Sequence, residues 1–247
     1  MKILKTLIVF ICTTLTITGV AKEVTLSTED NFQLKADYFA PKNNSNRAVL
    51  MLHQCNFNRS MYDNIGADLA QRGIHAFSLD FRGFGDSISA QVDAEKLMEL
   101  PEEERRKAWR AIGEHWPKDT QLAYDYLSKK VGQQGMIGVI GASCGGGQAI
   151  KLAKQNAIKA VSFFSSAQGE KNLRKYKKRL SEQATLIIAA EDDGRTYTSA
   201  KQIFEHARHQ NTRFISYKGS GHGYPLLAQD DTLALTIVEW FEQNLAD

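Results

Sequence analysis

The sequence has few of the residues that mark disordered, disulfide-rich or repeat proteins. It holds only four prolines and three cysteines in 247 residues, and no internal repeat or low-complexity segment stands out. So few prolines argue against a disordered or linker-rich chain. The composition, 43% hydrophobic and 24% charged, suits one globular domain with a sizeable core.

The chain also lacks a strong excess of charge of either sign. Its formal net charge is +3, and two of the cations, Lys2 and Lys5, lie within the first five residues. The remainder is close to neutral, so the composition gives no reason to expect a nucleic acid or an anionic membrane as a partner.

The apolar stretch at the N terminus is short for a membrane span of about 20 residues and is diluted by threonines. Residues 1–21 have a basic start, the apolar stretch and then small residues, which predicts a signal peptide cleaved after Ala21. Residues 22–247 would then be a periplasmic or secreted domain without stable membrane insertion. An uncleaved membrane anchor is the alternative. Lipidation of Cys12 is not expected, because VFI rather than small residues precedes it.

The rest of the chain alternates strand-like and helix-like patterns. Period-two or continuous apolar patterns predict eight strands, in EVTLS, FQLKADYF, RAVLMLH, IHAFSLDF, MIGVIGA, IKAVSFFSS, ATLIIAAE and TRFISYKG. The first two suggest a hairpin, and helical periodicity separates most of the others. This order predicts an α/β fold, a mostly parallel central sheet with helices on both faces. Ligands bind such sheets at the carboxyl ends of the strands, so we expect the functional residues in the loops that follow strands.

The loop after the fifth strand carries the clearest chemical signal. Residues 141–145 read GASCG, which fits G-x-S-x-G between a strand at 137–140 and a helix from about residue 146. Such a turn lifts the serine hydroxyl above the sheet edge and needs small flanking residues, because the backbones approach closely. Ser143 is the predicted nucleophile. Placing Cys144 at the centre would lose the glycine two residues before it, and a glycine-rich turn with an incidental serine is the alternative.

Two later loops supply a candidate base and a candidate acid. His222 lies in GSGHGYP directly after the last strand, where its glycine neighbours leave little packing to explain it. Asp192 and Asp193 follow the preceding strand, where a carboxylate could hold the histidine in the right tautomer. We favour Asp193 as the acid and expect the other aspartate to be a turn or cap residue.

The loop after the third strand, LMLHQCN at residues 50–56, is a candidate for half of an oxyanion hole. Its backbone amides could face the nucleophile, and the amide of Cys144 near a helix N-terminus would supply the other half. His53 is expected to shape this loop through its ring nitrogens rather than to act as the base.

The segments LHQCN, LDFRGFGDS, IGASCGGGQA, AAEDD and GSGHG stand in the order and spacing of the α/β-hydrolase superfamily. From about residue 24 to 245 the chain resembles small bacterial members of the dienelactone-hydrolase and serine-esterase type. The resemblance implies a triad of Ser143, His222 and Asp193 with an oxyanion hole, and neither a cofactor nor a metal.

The chain departs from the family pattern at two positions. The family usually has His-Gly before the oxyanion residue, whereas this chain has His53-Gln54, so Cys55 falls at the oxyanion position. Dienelactone hydrolases proper use cysteine at the apex of the nucleophile elbow, the turn between the fifth strand and the following helix, where this chain has Ser143. The resemblance to them therefore extends to shape rather than to the nucleophile.

The two cysteines outside the signal peptide suggest a disulfide. After cleavage, Cys55 and Cys144 would be the only cysteines, in a compartment that favours disulfides. Two amides that converge on one oxygen bring their Cα atoms near the window of about 4.4–6.8 Å that a disulfide requires. We therefore expect a Cys55–Cys144 disulfide that clamps the oxyanion loop to the elbow. Two free thiols in the pocket are the alternative.

The sequence leaves little room for a cap domain. Fewer than 20 residues, AQGEKNLRKYKKRLSEQ, separate the sixth and seventh strands, so one short basic helix at most is expected there. The charged helical insertion at about 88–117 is either a solvated excursion or a pocket wall.

The whole pattern predicts a carboxylic-ester hydrolase acting on small molecules through an acyl-enzyme. A peptidase or amidase with the same triad and a silent binding protein are the alternatives.

Overall fold

The computed structural model describes residues 19–246. Almost all of the predicted signal peptide, residues 1–21, therefore lies outside the described residues. The strands are β1 (Lys22–Ser27), β2 (Gln33–Phe39), β3 (Arg47–Leu52), β4 (His75–Leu79), β5 (Met136–Ala142), β6 (Ala160–Phe164), β7 (Ala184–Ala190) and β8 (Arg213–Tyr217). The helices are α1 (Asp63–Gln71), α2 (Ala94–Leu97), α3 (Glu102–Val131), α4 (Cys144–Leu152), α5 (Glu170–Arg179), α6 (Gly194–His206), α7 (Tyr224–Gln229) and α8 (Leu233–Asn244). A 3₁₀ helix at Arg59–Tyr62 precedes α1.

The eight strands form one sheet in the order β1-β2-β4-β3-β5-β6-β7-β8. β2 pairs antiparallel with both β1 and β4, and every pairing from β4 to β8 is parallel. The predicted class, a mostly parallel sheet that starts with a hairpin, is confirmed. The parallel strands bring the loops after β3, β5, β7 and β8 to one edge of the sheet.

Helices cover both faces of the sheet, which explains the continuous apolar runs of the central strands. Leu50 and Leu52 of β3 pack in one buried cluster, with α3 and α4, and Val49 and Met51 pack in the other, with α1 and α8. Successive strand residues point to opposite faces, so a strand covered on both sides needs apolar residues at nearly every position.

The segment after β4 differs from the prediction in its boundaries. The expected insertion at 88–117 and the helix after it are joined, because α3 runs for 30 residues through Pro117. A proline inside a helix removes one backbone hydrogen bond and crowds the carbonyl four residues earlier, here that of Gly113. The helix continues because Trp116 and Ala123, on either side of the proline, are buried in the same core.

The predicted short basic helix between β6 and β7 is present as α5, and no cap domain is inserted there. Among residues 19–246, no helix combines the length and the apolar character needed to cross a membrane.

Candidate active site

Ser143 lies between β5 and α4 in a strained backbone conformation. Its φ is 49° and its ψ is −113°. Residues with a side chain rarely adopt this conformation, and such strained residues cluster at functional sites, where the surrounding structure enforces them. The helix begins at Cys144, two residues before the predicted start. The turn is therefore tighter than the sequence indicated, and Ser143 stands at its apex.

The glycines around Ser143 are required by contacts between backbones. A Cβ on Gly141 would lie 2.4 Å from the carbonyl carbon of Gly145, and a Cβ on Gly145 would lie 2.4 Å from the carbonyl oxygen of Leu52. Both distances are shorter than non-bonded atoms allow. The glycines of the G-x-S-x-G pattern are thus needed because the backbone of the elbow packs closely against itself and against β3.

Hydrogen bonds from the β6 side fix the elbow. The Ser143 amide donates to the carbonyl of Phe164 at 2.9 Å. The hydroxyl of Ser166 donates to the Ser143 carbonyl, and the side-chain amide of Gln168 donates to the Ser166 hydroxyl at 2.6 Å. The sequence analysis did not find Ser166 or Gln168, because nothing local marks a residue that supports a turn 23 positions away.

His222 and Asp193 are joined by a hydrogen bond. Nδ1 of His222 lies 2.6 Å from Oδ2 of Asp193, and both side chains are half-buried. A carboxylate accepts here, so Nδ1 carries the proton and Nε2 keeps its lone pair. Asp192 is exposed. The structure therefore brings Asp193, the favoured aspartate, to the histidine.

The loop after His222 is held by two side chains from distant parts of the chain. The Gly223 amide donates to the hydroxyl of Ser165 at 2.9 Å, and the Tyr224 amide donates to Oε1 of Gln54 at 2.7 Å. Gln54 is 2% exposed, and a Cβ on Gly223 would lie 1.8 Å from its Oε1. Gln54 thus ties the histidine loop to the loop that carries Cys55.

Cys55 and Cys144 are joined by a disulfide, with their Cα atoms 5.9 Å apart. The bond fixes the loop after β3 against the first residue of α4. No acceptor among residues 19–246 takes the backbone N–H of either cysteine, and the Cys144 amide also lies at the positive end of a helix dipole. Neither amide is therefore committed to a hydrogen bond within the described part of the chain.

His53 is buried and neutral. Its Nδ1 donates to the carbonyl of Gln54 at 2.7 Å, and its Nε2 accepts from the amide of Phe81 at 3.0 Å. Burial lowers the pKa of His53 to about 4. With both ring nitrogens occupied, His53 connects the loops after β3 and β4, in the loop-shaping role that was expected of it.

A cleft of about 910 Å³ opens beside Cys55. The loop after β3 forms one wall, and the loop after β4 with α2 and the start of α3 forms the other. Much of the second wall comes from the 88–117 insertion, so this segment lines a pocket. The residues used below are Asp37, Phe57, Arg59, Phe84, Asp86, Ile88, Asp93, Glu95, Met98 and Trp109.

No group of three or more His, Cys, Asp or Glu side chains is placed to hold a metal ion in the part of the chain that the structure describes.

Comparisons with known proteins identify a family and a fold. Residues 34–234 match the model of the dienelactone hydrolase family. A search of curated proteins found no match.

Many solved structures share the architecture. A dienelactone hydrolase from Anabaena variabilis is 18% identical, with a TM-score of 0.67 over 93% of this chain and 100% of the other. A cold-adapted esterase from an Arctic intertidal metagenomic library is 17% identical, with a TM-score of 0.70 over 93% and 96% of the two chains. An esterase from Pyrococcus furiosus is 17% identical, with a TM-score of 0.67 over 92% of each chain. At these identities the structural likeness establishes a shared fold.

Proposed function

The chain belongs to the dienelactone hydrolase family, and on that basis we propose that it is a serine hydrolase of carboxylic esters. Ser143 is the nucleophile, His222 the general base and Asp193 the acid that orients it. The observation that carries this proposal is the hydrogen bond of 2.6 Å between His222 and Asp193, in loops that share a sheet edge with the strained Ser143.

The reaction follows from the free atoms of these residues. Nε2 of His222 accepts the hydroxyl proton of Ser143 as its oxygen attacks the ester carbonyl. The backbone amides of Cys55 and Cys144 stabilise the negative charge on the carbonyl oxygen. Collapse of this intermediate releases the alcohol with a proton from His222 and leaves an acyl-serine. A water molecule activated by His222 then hydrolyses it.

The disulfide supports Ser143 over its neighbour as the nucleophile. A cysteine attacks as its thiolate, and the sulfur of Cys144 is bonded to Cys55. Cys144 then contributes its backbone amide rather than its sulfur.

Export from the cytoplasm is part of the proposal. The N-terminal pattern of residues 1–21 predicts a signal peptide, and β1 begins at Lys22, immediately after the predicted cleavage site. A disulfide between Cys55 and Cys144 is stable in the periplasm or outside the cell. Mass spectrometry of the protein secreted by its host should give an N terminus at Lys22, and an intact Met1 would contradict cleavage.

The test of the function is hydrolysis of a substrate panel by the wild type and by Ser143→Ala. The panel holds p-nitrophenyl esters of graded acyl length and peptide p-nitroanilides, which separate an esterase from a peptidase or amidase. Ser143→Ala should lower kcat/KM for the best ester by at least about 10³, because the covalent route is lost. Ser216→Ala, which changes an exposed serine on β8, is the control. Unchanged ester hydrolysis by a folded Ser143→Ala variant would contradict the proposal.

A further inference from the structure

Exposed apolar side chains gather around the cleft beside Cys55. Six large hydrophobic residues are exposed among residues 19–246, and three of them are Ile88, Met98 and Tyr224. Ile88 and Met98 line the cleft, and the ring of Tyr224 stacks on that of Phe57, which also lines it, at 4.3 Å. Apolar surface that stays exposed at a concave site marks a ligand-binding surface.

The cleft wall formed by the loop after β4, α2 and the start of α3 is aromatic and partly buried. The rings of Phe84 and Trp109 lie 5.6 Å apart, and Phe84 also packs on His53 at 5.3 Å. Phe84 is buried in the main core. This wall is therefore preorganised for an apolar group.

Within residues 19–246, the cleft lining has a single guanidinium, that of Arg59, and it is already occupied. It pairs with Asp37 at 2.9 Å, with Asp86 at 2.8 Å and with the fully buried Asp80, and its remaining nitrogen pairs with Glu23 at 3.2 Å. Four carboxylates surround one cation. Arg59 consequently offers no free positive charge to an anionic ligand.

The other charged residues of the lining are acidic. Asp93 accepts from the first amides of α2 and pairs with Lys96 at 3.2 Å, while Glu95 is exposed on the rim. With Asp37 and Asp86, the lining holds four carboxylates against one guanidinium. An anionic group in this cleft would meet like charge beside low-dielectric aromatic walls, where repulsion is strong.

We propose that this cleft binds the apolar part of the ester and selects uncharged or cationic esters over anionic ones. The inference rests on the proposed function, because the cleft begins at Cys55, whose amide is assigned to the oxyanion. It specifies the substrate by chemistry: an ester whose acyl or alcohol part carries a bulky apolar group and no carboxylate.

Two matched series of esters test the inference. The first consists of p-nitrophenyl hexanoate, p-nitrophenyl hydrogen adipate and p-nitrophenyl 6-(trimethylammonio)hexanoate, which differ in charge at the acyl end. The second consists of butyrates of 3,3-dimethylbutanol, choline and 4-hydroxybutanoate, which differ in charge at the alcohol end. In the series whose variable end occupies the cleft, kcat/KM for the anionic ester should be lower than for the other two by about tenfold or more at low salt.

Two exposed residues of the cleft provide variants that should fold normally. Glu95→Lys should raise kcat/KM for the anionic ester relative to the neutral one by about threefold or more. Glu205→Lys makes the same charge change on α6 and should leave that ratio unchanged. In the series whose variable end occupies the cleft, Met98→Ser should lower kcat/KM for the uncharged ester, because the substitution removes apolar contact surface.

The outcomes separate this inference from the function on which it rests. Equal turnover of anionic and neutral esters in both series, or a charge preference that Glu95→Lys does not move, would overturn the cleft assignment and leave the esterase standing. No turnover of any ester by folded protein would overturn the proposed function itself.

Discussion

At the scale of single residues, the proposed active site depends on which side chains keep an atom that no hydrogen bond or disulfide occupies. Both ring nitrogens of His53 are taken by backbone groups, whereas His222 uses Nδ1 for Asp193, which leaves Nε2 for the proposed proton transfer. The same criterion favours Ser143 over Cys144 as the proposed nucleophile, because the sulfur of Cys144 is bonded to that of Cys55. Hydrogen-bond occupancy, rather than residue type, assigns the roles.

Replacement of the two aspartates tests the assignment of the acid. Asp193→Asn should lower kcat/KM by up to about 10⁴, because an amide there favours the wrong tautomer of His222. Asp192→Asn changes an exposed side chain beside it and should cause only a small loss. Equal small losses in both variants would mean that the acid lies elsewhere.

The buried His53 predicts how stability depends on pH. Its pKa in the folded protein, about 4, is below the ordinary value of 6.5, so the unfolded chain binds a proton that the folded protein does not. The contribution of neutral His53 to the free energy of unfolding is therefore fully present above about pH 6.5. It is lost as the pH drops to about 4, which lowers the free energy of unfolding by up to about 3 kcal/mol.

Urea unfolding at several pH values measures this dependence. His53→Asn should be less stable than the wild type at pH 7, because the loops after β3 and β4 lose a bridge, and its stability should decline less steeply between pH 6.5 and pH 4. Parallel pH profiles for the two proteins would refute this explanation.

At the scale of elements, the site is an assembly of loops that follow parallel strands. Gln54 joins two of them, since it is anchored in the loop after β3 and accepts from Tyr224 at the start of α7. It occupies the position where the family has glycine. The Gln54 side chain therefore provides a contact to the histidine loop that glycine could not make.

Loss of this contact should affect the chemical step more than binding. Gln54→Ala should lower kcat by about tenfold or more, with a smaller change in KM for a short ester, because His222 loses its fixed orientation. Gln54→Glu keeps an acceptor for the Tyr224 amide and should recover part of kcat. Gln202→Ala, which changes an exposed glutamine on α6, is the control. If Gln54→Ala matches the wild type, the positioning role is wrong.

The elements were predictable where local pattern decides them. Strands such as β7 are buried at every position, so their continuous apolar sequences predicted them correctly. A serine or histidine flanked by glycines indicated the loops that carry candidate functional residues. The continuity of α3 through Pro117 could not be predicted from the sequence. The burial of Trp116 and Ala123 in one core offsets the helix-breaking effect of the proline. Gln54 and Ser166 were missed as supports because their partners are distant in sequence and leave no local signal.

At the scale of the whole molecule, the Cys55–Cys144 disulfide links residues 89 positions apart. Closing a loop of that length removes chain entropy from the unfolded state, by about 4–5 kcal/mol less any strain. The bond also joins the two loops whose amides are proposed to bind the oxyanion. If that proposal holds, one covalent bond supports both stability and catalysis.

Reduction should lower both properties together. Urea unfolding with and without a reductant should show a loss of stability approaching about 4–5 kcal/mol, and kcat should fall because the two amides are no longer fixed. The double variant Cys55→Ser/Cys144→Ser should behave like the reduced protein and not respond to reductant. Two free thiols in the denatured, unreduced mature protein would contradict the disulfide.

The most direct test of the central claim is to locate the adduct formed by a fluorophosphonate probe. Such probes label a serine only when a neighbouring base activates it and amides receive the negative oxygen, so labelling requires the whole assembly of Ser143, His222 and the two cysteine amides. Peptide mapping by mass spectrometry should find the phosphonyl group on Ser143 alone, and Ser143→Ala should not be labelled. Folded wild-type protein that stays unlabelled, or that carries the adduct on another residue, would contradict the account.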